Sequence, residues 1–266
     1  MQKFLNKIIW ITGASSGIGE ACAYRFAKEG AILILTALEE NILEKVRQKC
    51  LNEGAPKVSI LPFDISKTEQ LEELAENALK QFGKIDILYN NAGISQRSDT
   101  LETTMAVFNK IMNVNFYAPV LLTKAILPQM IVNGGGHLIV TTSIAGKFGF
   151  PLRSAYSSSK HALYGFFETI QAEYYKQNIR VTFVCPGRVR TNISLYALEK
   201  DGSYHNKMDV GQMGGVTPEK AAKIIVKAAF LKKREVLVGK KELAMAYIKR
   251  FFPELAARLA RNIKPT

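Results

Sequence analysis

The 266-residue sequence predicts an α/β fold: a single doubly wound domain whose seven-stranded parallel sheet carries helices on both faces. Three observations predict it. Seven short apolar runs rich in β-branched residues recur along the chain, helix-patterned segments of ten or more residues separate them, and no linker or composition break interrupts the alternation.

The first run, "KIIWIT", leads into "ITGASSGIGEACAYRFAKEGA", where apolar positions including Ile18, Cys22 and Phe26 mark an amphipathic helix. The runs "AILILT", "KVSILPF" and "IDILYN" supply the next three strands, and "HLIVTTS", "IRVTFVCP" and "EVLVG" the last three. The glycines of "NGGGH" precede a strand instead of opening a helix, so they predict a helix stop and turn and not a phosphate loop. Residues 188–216 are polar, glycine-punctuated and too long for an ordinary connection, which suits a lid at the carboxyl edge of the sheet. Leu195, Tyr196, Leu198, Tyr204 and Met208 of this loop are candidates to line a substrate pocket. The predicted division is a catalytic domain over 1–239, including the loop, and a basic amphipathic helical tail over 240–266.

With 47% hydrophobic and 22% charged residues the chain can bury a large core. No signal peptide or membrane-spanning run is visible, and Cys22, Cys50 and Cys185 are scattered through apolar segments as reduced thiols would be. A cytoplasmic location is the expectation. The net charge of +13 is concentrated late: between Lys232 and Lys264 stand ten Lys or Arg against three Glu. "AMAYIKRFFPELAARLARNI" reads as a basic amphipathic helix broken or restarted at Pro253. Docking on its own domain or on a twin subunit is the first reading, and peripheral membrane contact the second. No nucleic-acid-binding motif accompanies the charge, so nucleic acid is not expected as a partner.

Gly13, Gly17 and Gly19 follow the first strand and open the first helix. Glycines let the backbone turn tightly and approach a pyrophosphate, and the helix N-terminus offers free N–H groups to the anion. A dinucleotide site follows most naturally; a mononucleotide or S-adenosylmethionine site remains open from this fragment alone. Further on, Tyr156 and Lys160 stand at positions i and i+4, on one face of a helix. Taken by itself that pair is also ordinary helix-surface packing.

The series "TGASSGIG", "NNAG" at 90–93, "NVNF" around Asn115, Ser143, Tyr156 with Lys160, and "PGRVRT" at 186–191 resembles the short-chain dehydrogenase/reductase family in order and interval. The likeness covers residues 7 to about 239, and "RSAYSSSKHA" further resembles its dehydrogenase/reductase member 7B-like branch. It implies a Rossmann-type fold and a nicotinamide cofactor. It implies further that Gly13, Ser15, Ser16, Gly17, Ile18, Gly19 and Leu38 line the cofactor. Asp64 and Ile65 follow them, with Asp64 accepting from the adenine amino group, and then Asn91, Ala92, Gly93, Tyr156 and Lys160. Pro186, Gly187, Val189 and Thr191 flank the nicotinamide. Read only as local structure, Asp64 is a helix N-cap, and Pro186 with Gly187 a strand stop.

Members preferring NAD carry an acid at the end of the second strand, and NADP users often an Arg one residue later. Ala37 and Leu38 are neither. The branch resemblance favours NADP(H), with NAD(H) the alternative. The implied reaction passes a hydride between the cofactor and a ketone or secondary alcohol, the substrate being bulky and apolar if the loop residues face it. Tyr156 is the implied acid. Free tyrosine titrates near ~10, and an opposite charge nearby lowers that by ~1 to 3 pH units. Lys160 is the expected source of that charge. Ser143 would orient the substrate oxygen, and Asn115, inside a long helix, would fix a water relaying protons to Lys160. Sugar-nucleotide epimerases share the Tyr–Lys spacing but add a C-terminal substrate domain. A catalytically silent dinucleotide-binding protein, regulatory or scaffolding, is the remaining alternative. The family likeness implies a homodimer or homotetramer. His137, His161 and His205 suit neither a metal nor a triad, and no metal site is predicted.

Overall fold

The computed structural model describes residues 2–263, so the last three residues of the predicted tail lie outside it. In chain order the elements are β1 (Ile8–Thr12), α1 (Gly17–Lys28), β2 (Ile32–Ala37), α2 (Glu40–Asn52), β3 (Val58–Pro62), α3 (Leu71–Phe82) and β4 (Ile87–Asn90). There follow α4 (Met105–Met112), α5 (Ala118–Val132), β5 (Gly136–Thr141), α6 (Ser154–Glu173) and β6 (Ile179–Pro186). The chain continues through α7 (Val210–Met213), α8 (Pro218–Phe230), β7 (Glu235–Val238), α9 (Ala244–Phe251) and α10 (Pro253–Arg261). All seven predicted strands form, and they pair in parallel in the order β3-β2-β1-β4-β5-β6-β7. The order changes direction between β1 and β4, so a crevice opens there beyond the carboxyl ends of the strands.

Successive strand residues point to opposite faces, so a run that is apolar at every position belongs in a sheet covered on both sides. Ile9, Ile11, Leu33 and Leu35 enter one core with Phe26, Leu43 and Ile225 of α1, α2 and α8. Ile8, Trp10, Ile34 and Leu88 enter the other with Leu74, Leu122 and Phe167 of α3, α5 and α6. The indole of Trp10 donates to Thr36 Oγ1 at 2.9 Å, so even its polar atom is satisfied inside. Truncating one of these fully buried leucines to alanine would cost about 2–5 kcal/mol.

The sequence predicts one long helix around Asn115. Instead a π-helical turn, Asn113–Tyr117, joins α4 to α5. The extra residue in the turn shifts the helix face that follows, a device frequent at functional sites. The glycine run after α5 turns the chain into β5, as the helix-stop reading requires. Cys22, Cys50 and Cys185 are buried free thiols. Among the described residues no helix is long and apolar enough to cross a membrane.

His137 is buried in β5, its Nε2 2.8 Å from Thr182 Oγ1. Burial, with Lys232 and Arg180 nearby, pushes its pKa down to about 3. The unfolded chain binds this proton near pH ~6.5, so stability present above that pH declines as pH falls toward 3, by up to ~1.4 kcal/mol per pH unit. Urea midpoints taken from pH 7 to pH 5 should fall for the native protein and fall less steeply for His137→Gln.

Candidate active site

β1 ends at Thr12 and the chain turns at Gly13, whose φ of +66° suits glycine. α1 then starts at Gly17. A Cβ on Gly19 would lie 2.1 Å from the Gly13 carbonyl oxygen, so helix and turn touch only because position 19 has no side chain. The Asn91 amide donates to the carbonyls of Thr12 and Gly13, each at 3.2 Å. Thr12 Oγ1 accepts from the backbone of Asn91 and Ala92 at 3.1 and 3.2 Å. The end of β4 is thereby sewn to the glycine turn. No side chain caps α1, whose N-cap is Ser16, so its first amides are kept for another anion.

A cleft of about 940 Å³ runs from the ends of β3 and β2, past this turn, to the ends of β5 and β6. All the predicted site residues line it except Gly19, which supports the turn from beneath, and Asn115. The arrangement fits an elongated dinucleotide: a turn without side chains, an uncapped helix N-terminus, and Leu38 and Asp64 at one extremity. Asp64 does not cap a helix; its Oδ1 accepts from Ser66 N at 2.9 Å in a local turn.

At the other extremity Ser143 follows β5, its Oγ accepting from Ala145 N at 3.1 Å, and it lines the cleft together with Tyr156. Tyr156, 7% exposed, sits in the first turn of α6. Lys160, one turn later, donates to the Thr141 carbonyl at 2.8 Å, with Nζ 5.9 Å from the centre of the Tyr156 ring. Asn115 is fully buried behind them. Its Oδ1 accepts from Ile94 N, and its Nδ2 donates to Ile94 O, both at 2.9 Å, and to Ser159 Oγ at 3.1 Å. The side chain therefore ties the turn after β4 to α6.

Burial raises the pKa of Tyr156; the Ser143 hydroxyl and then the guanidiniums of Arg153 and Arg97 pull it back. Burial also pushes Lys160 down to about 7. In this structure the charges that oppose burial at the phenol are the guanidiniums of Arg153 and Arg97.

The loop 188–216 is fastened at both ends of its span. Arg190 N donates to Val216 O and Val216 N to Arg188 O, each at 2.9 Å, while Leu198 N bonds Ser95 O at 2.9 Å and Arg97 N bonds Leu198 O at 2.8 Å. Tyr196 and Tyr204 line the cleft as expected; Leu195, Leu198 and Met208 do not. Leu198 is buried with Val107, Ile111 and Ala155, where it holds the loop down. The chain breaks at Pro253 into α9 and α10, and Met245, Leu259 and Ile263 form one wall of the cleft, a role for the tail that its sequence does not reveal. Arg97, Arg153 and Asp209 also line it. Only the place of Arg153, three residues before the tyrosine, could have drawn notice to any of them. None of the three histidines lines the cleft: His161 Nδ1 lies 2.8 Å from Ser157 O and His205 Nδ1 2.5 Å from Glu199 Oε1.

A family model described as short chain dehydrogenase matches residues 7–201. Dehydrogenase/reductase SDR family member 7B of Xenopus laevis is 38% identical over 97% of this chain and 83% of its own. An alcohol dehydrogenase from the archaeon Thermococcus sibiricus, solved with 5-hydroxy-NADP, is 29% identical with a TM-score of 0.75, covering 89% of this chain and 97% of that one. A short-chain dehydrogenase/reductase from Burkholderia phymatum, solved with NAD, shares the fold at a TM-score of 0.82 and 24% identity, over 100% of this chain and 99% of that one.

Proposed function

The chain belongs to the short-chain dehydrogenase/reductase family, in its member 7B-like branch, and is an NAD(P)-dependent oxidoreductase; from that premise we propose that it interconverts a ketone and a secondary alcohol, with Tyr156 as general acid and base. The observation that carries this proposal is the meeting of Ser143, Tyr156 and, one helical turn on, Lys160 in the cleft that holds the glycine turn. A bound nicotinamide cofactor supplies or accepts the hydride. Ser143 holds the substrate oxygen, and Tyr156 passes it a proton as charge develops there. Lys160, poised near pH 7, exchanges that proton onward and holds the cofactor ribose. Asn115 keeps the turn after β4 against Lys160 and is assigned the water relay that the family likeness implies.

Phe148, Phe150, Tyr196, Tyr204, Met245 and Leu259 among the cleft residues favour a bulky, apolar substrate. A homodimer or homotetramer is part of the same proposal, as is tail contact with a membrane surface, favoured by exposed Tyr247, Phe251 and Phe252 among basic residues. The test is a panel of ketones and secondary alcohols offered with each nicotinamide cofactor. Cofactor binding without turnover of any of them would favour the catalytically silent alternative.

NADP(H) is the proposed cofactor. β2 ends at Ala37, with cleft-lining Leu38 next, so the position of the usual ribose-binding acid is apolar, although Glu39, two residues past the strand, also lines the cleft. Ala37→Asp should lower kcat/KM with NADPH roughly tenfold or more, about 1.4 kcal/mol, and leave that with NADH within a few-fold. Equal effects on both cofactors would reverse the assignment.

A further inference from the structure

One buried side chain that the sequence does not single out reaches the start of α6. Gln96, three residues past Gly93, is 0% exposed and does not line the cleft, although its neighbours Ser95 and Arg97 do. Its Oε1 accepts from Ala155 N at 2.9 Å and from Tyr156 N at 3.4 Å, so it caps the first turn of the helix that carries the phenol. Its Nε2 donates to Thr103 Oγ1 at 2.8 Å and lies 3.2 and 3.4 Å from Ser98 Oγ and Ser154 Oγ. The partners fix which way the amide lies: a backbone N–H can only donate, so the carbonyl faces α6.

A helix commonly takes its cap from the residue just before it, a Ser, Thr, Asp or Asn. α6 has Arg153 there, whose guanidinium holds donors only, and that residue gives it no side-chain cap. The cap comes instead from 59 residues earlier. A serine or aspartate at 153 would satisfy the same amides, so the stability of α6 alone does not call for a glutamine on another element. What the distant cap adds is a shared reference. On one side of Gln96, Asn115 holds both backbone groups of Ile94; on the other, the loop 188–216 is bonded through Leu198 to Ser95 O and Arg97 N. We propose that Gln96 is a positioning residue for the reaction: it sets the start of α6, and with it the Tyr156 hydroxyl, against the cleft wall that Ile94, Ser95 and Arg97 provide. The proposal rests on the acid/base role given to Tyr156 above.

The test compares Gln96→Met, Gln96→Glu and, as a control for stability, Leu43→Ala in the core on the opposite face of the sheet from α6. Methionine keeps the length and loses the amide. Glutamate keeps the acceptor for Ala155 and Tyr156, suits a helix N-terminus, and can take the Ser98 hydroxyl as a donor. Two readouts are taken where every variant is folded: kcat at saturating cofactor and substrate, and hydrogen exchange of the Ala155 and Tyr156 amides, which needs no turnover. Gln96→Met should lower kcat roughly 10²-fold, the loss that a misplacement of about 1 Å brings, and speed exchange at both amides roughly tenfold. Its cofactor Kd should stay within a few-fold, because the glycine turn is untouched. Gln96→Glu should bring kcat and exchange back to within a few-fold of native. Leu43→Ala should lower the melting point at least as far and keep kcat. A fall in kcat no larger than the control's, or a glutamate variant as poor as the methionine one, would reduce Gln96 to a structural cap. Should Gln96→Met not fold, Gln96→Asn, whose amide stops one methylene short of α6, takes its place with the same expectations. Faster exchange in Gln96→Met, in a protein whose native form turns over no ketone or alcohol, would sink the proposed activity and leave the cap standing.

Discussion

Tyr156→Phe is expected to lower turnover by roughly 10²–10⁴-fold, the range a positioned general acid contributes. Cofactor affinity should stay within a few-fold. The substitution deletes one oxygen from a ring that is already buried, so the packing of α6 against the cleft is kept. What is lost is the phenolic hydroxyl and whatever hydrogen bond it makes, worth about 0.5–1.5 kcal/mol to stability and partly offset because a buried polar group is removed with it. Steady-state turnover, a fluorescence titration of the cofactor and a thermal melt separate these effects. Turnover retained in the phenylalanine variant would take the acid out of the mechanism, whichever cofactor is used.

Gly19→Ala should be the most damaging change at the cofactor end. Its methyl would sit 2.1 Å from the Gly13 carbonyl oxygen and 2.5 Å from Asn91 Nδ2. The first contact is with backbone, so no flexible side chain can swing aside, and relief requires moving the turn or the start of α1. Either movement breaks the Asn91 bonds that hold β4 to the turn. Overpacking of this kind costs about 1–3 kcal/mol, and misplacing the binding backbone by an ångström lowers activity ~10²-fold. Gly165→Ala is the control. Nothing lies within 4 Å of a Cβ there, and an alanine inside α6 should stabilise the protein by about 0.5–1 kcal/mol. Equal melting points and equal cofactor affinity for the two variants would contradict the account of the turn.

The elements that can be read from the sequence are those whose cause is local. The inner strands β1, β2, β4, β5 and β6 announce themselves because a strand buried on both faces is apolar at successive positions, the half-buried edge strands β3 and β7 by shorter apolar runs, and the glycine turn because glycine suits Gly13's φ and the approach at Gly19. Tyr156 and Lys160 are visible for the same reason, being one helical turn apart. The π-helical turn at Asn113–Tyr117 is not visible, because Asn115 is drawn into place by Ile94 and Ser159, which the fold brings there from other elements. Arg97 and Asp209 are separated by 112 residues and Arg153 and Asp209 by 56, so no periodicity links them. Leu198 looks like a pocket residue because apolar side chains in a polar loop suggest a ligand, yet packing on α4 and α6 takes it first.

The wall built by Met245, Leu259 and Ile263 stands far along the chain from Ser143, Tyr156 and Lys160. Under the proposed function, proton transfer and the shape of the substrate space thus fall to separate segments of the chain. Substitutions in α9 and α10 would then retune which molecule is accepted and leave the groups that move the proton untouched.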